Sequence, residues 1–181
     1  LADSDHVIGH ELVHAFQFDI TMPREAGGIG GYPGAQRLPL WFIEGIAEYY
    51  TKGGIDPETD LFLRDLVWNP DPPRGYEVVD FADDRRRGFI PTYKLGQARI
   101  AFIAETYGRE KIQAFLDDAF LVNDGAGSAA AADRAFEALV KRVLDTDLEQ
   151  LEALGLPRVL TSLSSDITHI TGAFVALPSA T

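Results

Sequence analysis

The stretch Asp5-His6-Val7-Ile8-Gly9-His10-Glu11-Leu12-Val13-His14-Ala15-Phe16-Gln17-Phe18 decides how the rest of the chain is read. It contains His10-Glu11-x-x-His14, an H-E-x-x-H pattern. On an α-helix, positions four apart lie one above the other on one face. His10 and His14 then stand side by side, with Glu11 on the neighbouring edge. Two imidazoles so placed can share one tetrahedral metal ion, and Glu11 can take a proton from a water activated there.

The surrounding residues predict a helix over 3–20, capped by Asp3, Ser4 or Asp5. Ile8, Leu12, Ala15 and Phe16 form an apolar stripe along it, flanked by Val7 and Phe18. Gly9 interrupts the run of good helix formers. It reads either as a place where another backbone comes close or as a tolerated weak residue.

A catalytic zinc commonly takes three protein ligands and keeps a position open for water. The missing ligand is found in the next helical stretch, 39–52. Its residues Pro39-Leu40-Trp41-Phe42-Ile43-Glu44-Gly45-Ile46-Ala47-Glu48-Tyr49-Tyr50-Thr51-Lys52 start on a proline and stop at Gly53-Gly54. Trp41, Ile46, Ala47 and Tyr50 are expected to face the core. Glu44 and Glu48 are four apart and share a face, which is costly on an apolar helix unless positive charge meets them.

Glu44 is the expected third ligand. His169 lies far down the chain, Asp19 is too close on the same helix, and His6, His10 and His14 together would span about 12 Å of helix axis. His6 is therefore read as a rim residue or a support behind the ligands, in its plainest form a solvated residue. Glu48 either accepts the N–H of a metal-bound imidazole, His10 in the first instance, or simply pairs with Lys52 one turn on. Its apolar neighbours favour the first.

Between these helices, residues 21–38 are a loop rich in glycine without the spacing of a phosphate-binding loop. Beyond them, a helix is expected over 57–68 with Leu61, Leu63, Leu66 and Val67 inward. A long link over 69–91 follows, with a short strand at 76–80 and the run Arg85-Arg86-Arg87 read as a solvated turn. Further helices are expected over 92–107 (Leu95, Ala98, Phe102, Ile103 inward), 109–121 (Ile112, Phe115, Leu116, Phe120 inward), 129–144 and 147–154. Residues 156–181 change character, with the alternating run Ile167-Thr168-His169-Ile170-Thr171. They read as a strand, a frayed tail or the start of a further domain.

His10-Glu11-x-x-His14 followed by Trp41-Phe42-Ile43-Glu44-Gly45-Ile46-Ala47-Glu48-Tyr49 resembles the gluzincin metallopeptidases, and more narrowly the bacterial peptidase MA-like domains. The likeness continues through Tyr93-Lys94-Leu95-Gly96-Gln97-Ala98 and Tyr107-Gly108-Arg109-Glu110-Lys111. It implies a mainly α fold for 1–155, with zincin-like active-site helices and a C-terminal helical bundle. It also implies one zinc ion per chain on His10, His14 and Glu44, with Glu11 as general base. Related enzymes place a Tyr or His from a later helix beside the developing oxyanion; Tyr93 is the candidate here, its other reading being an ordinary helix-cap aromatic. The resemblance further implies a peptide or protein substrate, an exported or extracytoplasmic setting, and a β-propeller after the peptidase domain, which residues 156–181 would begin.

Two departures stand out. The spacer from His14 to Glu44 is longer than in the best-known gluzincins. The strands that normally precede the metal helix, whose edge pairs with an extended substrate, do not precede it here. The chain starts at Leu1 and enters the metal helix almost at once, so it is expected to be part of a longer polypeptide.

Composition narrows the remaining classes. With 181 residues and 46% hydrophobic content, the chain can bury one real core. A net charge of −12 speaks against a nucleic-acid partner. With no cysteine, disulfides and thiolate ligands are excluded. No run of apolar residues is long enough to span a membrane. Two competitors to a peptidase stay open: a non-catalytic zinc-stabilised scaffold, and a hydrolase of another amide such as one in a cell-wall peptide.

Overall fold

The computed structural model describes residues 2–22, 33–68, 89–122 and 129–151. Its second helix, α2 (Leu40–Lys52), sits between α1 (Ala2–Thr21) on one side and α4 (Phe89–Tyr107) on the other. Pro39 flanks α2 in an extended conformation, and its carbonyl accepts the N–H of Phe42 at 3.0 Å. Gly53, at φ 77°, ends the helix by returning its N–H to the Tyr49 carbonyl at 2.9 Å. That left-handed conformation is open to glycine at little cost. Trp41, Phe42, Ile43, Gly45, Ile46, Ala47 and Glu48 are all buried.

The crossing of α2 and α4 is backbone on backbone. A Cβ added to Gly45 would lie 2.4 Å from the Gly96 carbonyl carbon, and one added to Gly96 would lie 2.4 Å from the Trp41 carbonyl oxygen. No side chain fits between the two helices at that point, so both residues must be glycine for the helices to approach this closely. Gly9 faces a milder constraint: its added Cβ would meet the Thr51 methyl at 3.0 Å. The close approach expected there is made by a side chain and not by a backbone.

After α2, Asp56 opens α3 (Pro57–Trp68). Its carboxylate accepts the N–H groups of Glu58 (2.9 Å) and Thr59 (3.3 Å), while Pro57 takes the first helical position, where no N–H is needed. Helices α5 (Glu110–Asp117) and α6 (Ala129–Leu144) close the core from below α2. Phe42 meets Phe115 at 4.9 Å between ring centroids and Phe136 at 5.9 Å; Trp41 meets Phe136 at 6.0 Å. Such tilted and edge-on pairs follow the quadrupole preference of aromatic rings. Short 3-10 turns at Gly34–Arg37 and Ala119–Leu121 complete the described elements, with one further helical turn at 148–151.

The architecture is mainly α, as expected, and no strand occurs among the described residues. Three inward assignments fail for physical reasons. Tyr50 is exposed at the edge of α2, where the Arg109 guanidinium stacks over its ring at 5.5 Å. Leu61 points out of α3, because that helix packs through Thr59 and Leu63. Phe120 is exposed because α5 ends at Asp117 and the chain tightens to three residues per turn, which buries Ala119 and Val122 in its place.

The apolar stripe of α1 faces outward: Ile8 is 66% exposed, Leu12 54% and Phe16 59%. The helix instead buries His10, Gln17 and Thr21 against its neighbours. Its orientation is set by polar contacts, with Val13, Phe18 and Ile20 contributing partly buried apolar surface.

The strand expected at 76–80, the arginine run, the glycine-rich part of the first loop, the end of the 147–154 helix and the tail from 156 lie outside the described residues, as do the side chains of Leu66 and Val67. Among the described residues, no helix is long and apolar enough to cross a membrane.

Candidate metal centre

Three ligand atoms from two helices converge. His10 Nε2 and His14 Nε2, both on α1, lie 3.1 Å apart, and Glu44 Oε2 on α2 lies 3.0 Å from the first and 3.1 Å from the second. A tetrahedral ion with bonds of 2.0–2.1 Å needs donors roughly 3.3 Å apart. The triad meets this with an expansion of a few tenths of an ångström. All three side chains are largely shielded, at 8%, 14% and 12% exposure for His10, His14 and Glu44.

Around the triad, each imidazole is held by its other nitrogen. Glu48 is buried, and its Oε1 lies 3.0 Å from His10 Nδ1 and 3.0 Å from His6 Nε2; its Oε2 lies 3.1 Å from Lys52 Nζ. Burial alone would raise the Glu48 pKa. Hydrogen bonds from His10 and Lys52 outweigh burial and hold it at about 2. An ionised carboxylate only accepts, so His10 Nδ1 carries a hydrogen for Glu48, and in the metal-free protein Nε2 carries one for Glu44; a metal ion would take the place of that second hydrogen. Glu48 thus meets both of the partners considered for it, His10 with one oxygen and Lys52 with the other. His6 is not simply solvated: it is half-buried and bonded to Glu48.

The second imidazole is held by a residue that sequence reasoning missed. Gln17 Oε1 lies 2.7 Å from His14 Nδ1, while Gln17 Nε2 donates to the Ile43 carbonyl at 3.0 Å. The available signal was spacing. His10, His14, Gln17 and Thr21 recur at intervals of four, three and four and so share one helix face. Thr21 closes that face, donating to the Gln17 carbonyl at 2.7 Å and accepting the Ala35 N–H at 3.0 Å.

Tyr93, on α4, stacks on His10 with ring centroids 5.5 Å apart and planes at 22°. Its hydroxyl hydrogen-bonds Glu44; burial first, then the charge and bond of Glu44, push its pKa above the usual value. It therefore stays protonated and donates. Glu11 lies exposed on the neighbouring edge of α1, near enough for its charge to act on Tyr93. The residues selected from the sequence, His10, Glu11, His14, Glu44, Glu48 and Tyr93, thus belong to one locality.

Charge is concentrated here. Hydrogen bonds donated to Glu44 and then Glu48 raise the His10 pKa to about 9 against the opposing effect of burial. The bond to Glu44 also raises His14. Glu44, which burial alone would raise, is held at about 2 by His10 and His14. A cation is what this arrangement favours, whether protons or a metal ion.

A second triad, His6, His10 and Glu48, also brings its ligand atoms within 4.8 Å of one another. It shares His10, and a neutral imidazole has one lone pair to give. The Lys52 ammonium already neutralises Glu48, so Glu44, which faces no lysine or arginine among the described residues, is the better candidate ligand.

Behind Glu48 the polar chain continues through Lys52 to Asp56 at 3.6 Å and Glu58 at 3.4 Å, and Lys94 Nζ reaches the same Glu58 oxygen at 2.7 Å. Thr59 bonds Gln97, which donates to the Gly54 carbonyl. The site's outer support is thereby tied to α3 and α4.

No known family pattern, curated protein or solved structure matches this chain.

Proposed function

We propose that the chain carries a zinc-dependent peptidase centre of the gluzincin type, hydrolysing peptide bonds. The observation that carries this reading is the convergence of His10 Nε2, His14 Nε2 and Glu44 Oε2 within 3.1 Å beside an uncommitted carboxylate, Glu11. Two neutral nitrogens and one carboxylate oxygen suit zinc and leave room for water. The chemistry that zinc would supply when held by His10, His14 and Glu44 is a water made acidic near neutral pH and a polarised carbonyl.

The chain's own residues do the rest. Glu11 accepts the proton that the water gives up and passes it to the departing amine. Tyr93, protonated and beside the centre, is placed to turn its hydroxyl from Glu44 to the oxyanion that forms at the scissile carbonyl. Glu48 keeps His10 in the tautomer that leaves Nε2 free.

The test is metal content and cleavage together. The chain as purified should hold about one zinc, lost in His14→Ala and Glu44→Ala; full occupancy in both variants would remove the ligand set. Glu11→Gln should keep zinc and lose peptide hydrolysis.

A second reading, a zinc-stabilised scaffold without catalysis, is favoured by one observation: the described residues hold no strand whose edge could align a substrate. Chelator-sensitive cleavage of a fluorogenic peptide separates the two. The scaffold should lose thermal stability with its zinc and never show turnover.

A further inference from the structure

We propose that Gln17 is the positioning residue of the second histidine, fixing His14 as the Nδ1–H tautomer so that Nε2 presents a lone pair to the triad. The proposal rests on the metal-site reading only for its consequence, not for its geometry.

Gln17 is 1% exposed, so both ends of its amide need partners inside the protein. The Ile43 carbonyl can only accept, so the group 3.0 Å from it is the amide nitrogen. The amide orientation is then determined, and its oxygen is the atom 2.7 Å from His14 Nδ1. That oxygen can only accept, so Nδ1 carries a hydrogen; the hydrogen that Nε2 holds toward Glu44 when the ring is charged, across 3.1 Å, is the one a metal ion would displace. The opposite tautomer would set two lone pairs against each other at 2.7 Å.

The two imidazoles are thus oriented by different chemistry, His10 by a carboxylate and His14 by an amide. A carboxylate at position 17 would add a third negative charge to a site that already holds Glu44 and Glu48. A neutral acceptor performs the same orientation without it. The anchor also matters. Ile43 directly precedes Glu44, so one side chain ties the second histidine to the segment that bears the carboxylate ligand.

Gln17 lies beside a cavity of about 340 Å³ lined also by Val13, Ile20, Ile46, Ile112 and Leu116. In this apolar setting Leu fits where Gln stood, so removal of the amide need not unfold the chain.

The experiment compares the full chain with Gln17→Leu, which removes both bonds, and Gln17→Glu, which offers Nδ1–H an oxygen in either protonation state. Zn²⁺ affinity is measured by competition with a chromophoric chelator, the Co²⁺ absorption spectrum reports coordination, and ¹⁵N NMR of labelled histidine reports the tautomer at a pH where His14 is neutral. The wild-type chain should show His14 as Nδ1–H. Gln17→Leu should melt as a folded protein, mix the tautomers and bind Zn²⁺ about 10- to 100-fold more weakly, while Gln17→Glu should restore affinity to within a few-fold.

A wild-type His14 carrying its proton on Nε2 would overturn the proposal, and that measurement needs no variant. So would a Gln17→Leu chain with unchanged tautomer and affinity, or equal weakening by Leu and Glu, which would mark a packing role. If the wild-type chain binds no Zn²⁺ at all, the metal-site reading falls, and the tautomer measurement still decides the role of Gln17.

Discussion

His10 is held between two carboxylates, and this governs how the centre competes for its cation. In the metal-free protein, Glu44 and Glu48 keep a proton on His10 up to a pH of about 9. Any ion must displace that proton. Metal affinity should therefore climb until pH passes about 9 and then level off, where an ordinary histidine would level near 6.5. Glu48→Gln removes one of the two carboxylates. It should shift the plateau to lower pH and weaken the limiting affinity by about 10- to 100-fold, as metal titrations at several pH values would show.

The sign for stability is the reverse. A pKa raised in the folded state stabilises below the unfolded value and is lost as pH rises. Denaturant melts of the metal-free chain should weaken between pH 6.5 and about 9, and saturating metal should abolish that decline. These residues were legible in the sequence because histidines four apart and carboxylates four apart each demand a partner. Gln17 was not, because an amide is outside the usual ligand vocabulary and its role follows only from the Ile43 carbonyl opposite it.

At the level of helices, two features are open to direct measurement. Asp56 caps α3 and faces Lys52. Although burial works to raise its pKa, the Thr59 hydroxyl, Gln97 and the two lysines hold it at about 2. A depressed pKa gives stability that is present above the unfolded value of 3.8 and lost as pH falls through about 2. Asp56→Ala should cost about 0.5–2 kcal/mol at neutral pH and flatten the acid limb of the stability profile, read by urea melts.

The glycines separate in the same assay. Gly45→Ala and Gly96→Ala each drive a methyl into a helix backbone at 2.4 Å and should cost about 1–3 kcal/mol or more. Gly9→Ala meets only the Thr51 methyl at 3.0 Å. Its crowding should be offset by about 1 kcal/mol of helix propensity, leaving the melt nearly unchanged. The existence and approximate limits of these helices were legible from periodicity, from Pro39 and from Gly53. Their rotation was less so. Apolar periodicity put the Ile8–Phe16 stripe of α1 in view, but the hydrogen bonds of His10, Gln17 and Thr21 decide which face turns inward. Leu61, Tyr50 and Phe120 were misassigned for the related reason that a period says where residues align, not what stands opposite them.

For the molecule as a whole, the exposed stripe of α1 makes a clear claim about where stability resides. Leu12→Gln should change the unfolding free energy by no more than about 0.5 kcal/mol. Phe42→Ala, which empties the centre of the Phe115–Phe136 ring cluster, should cost about 3–5 kcal/mol. A large effect at Leu12 in urea melts would mean that another surface covers the stripe. The candidate metal centre, by contrast, shares α2 with that ring cluster, which holds the helix in place.

The crossing of Gly45 and Gly96 connects these levels. Gly45 follows Glu44 directly, and Gly96 comes three residues after Tyr93. The point where the two helices touch is therefore also the point from which the carboxylate ligand and the phenol are measured off. Two absent methyl groups act as the spacer gauge of the centre. One added carbon at either position would reset the gap between acid and hydroxyl without altering the identity of any chemically active side chain.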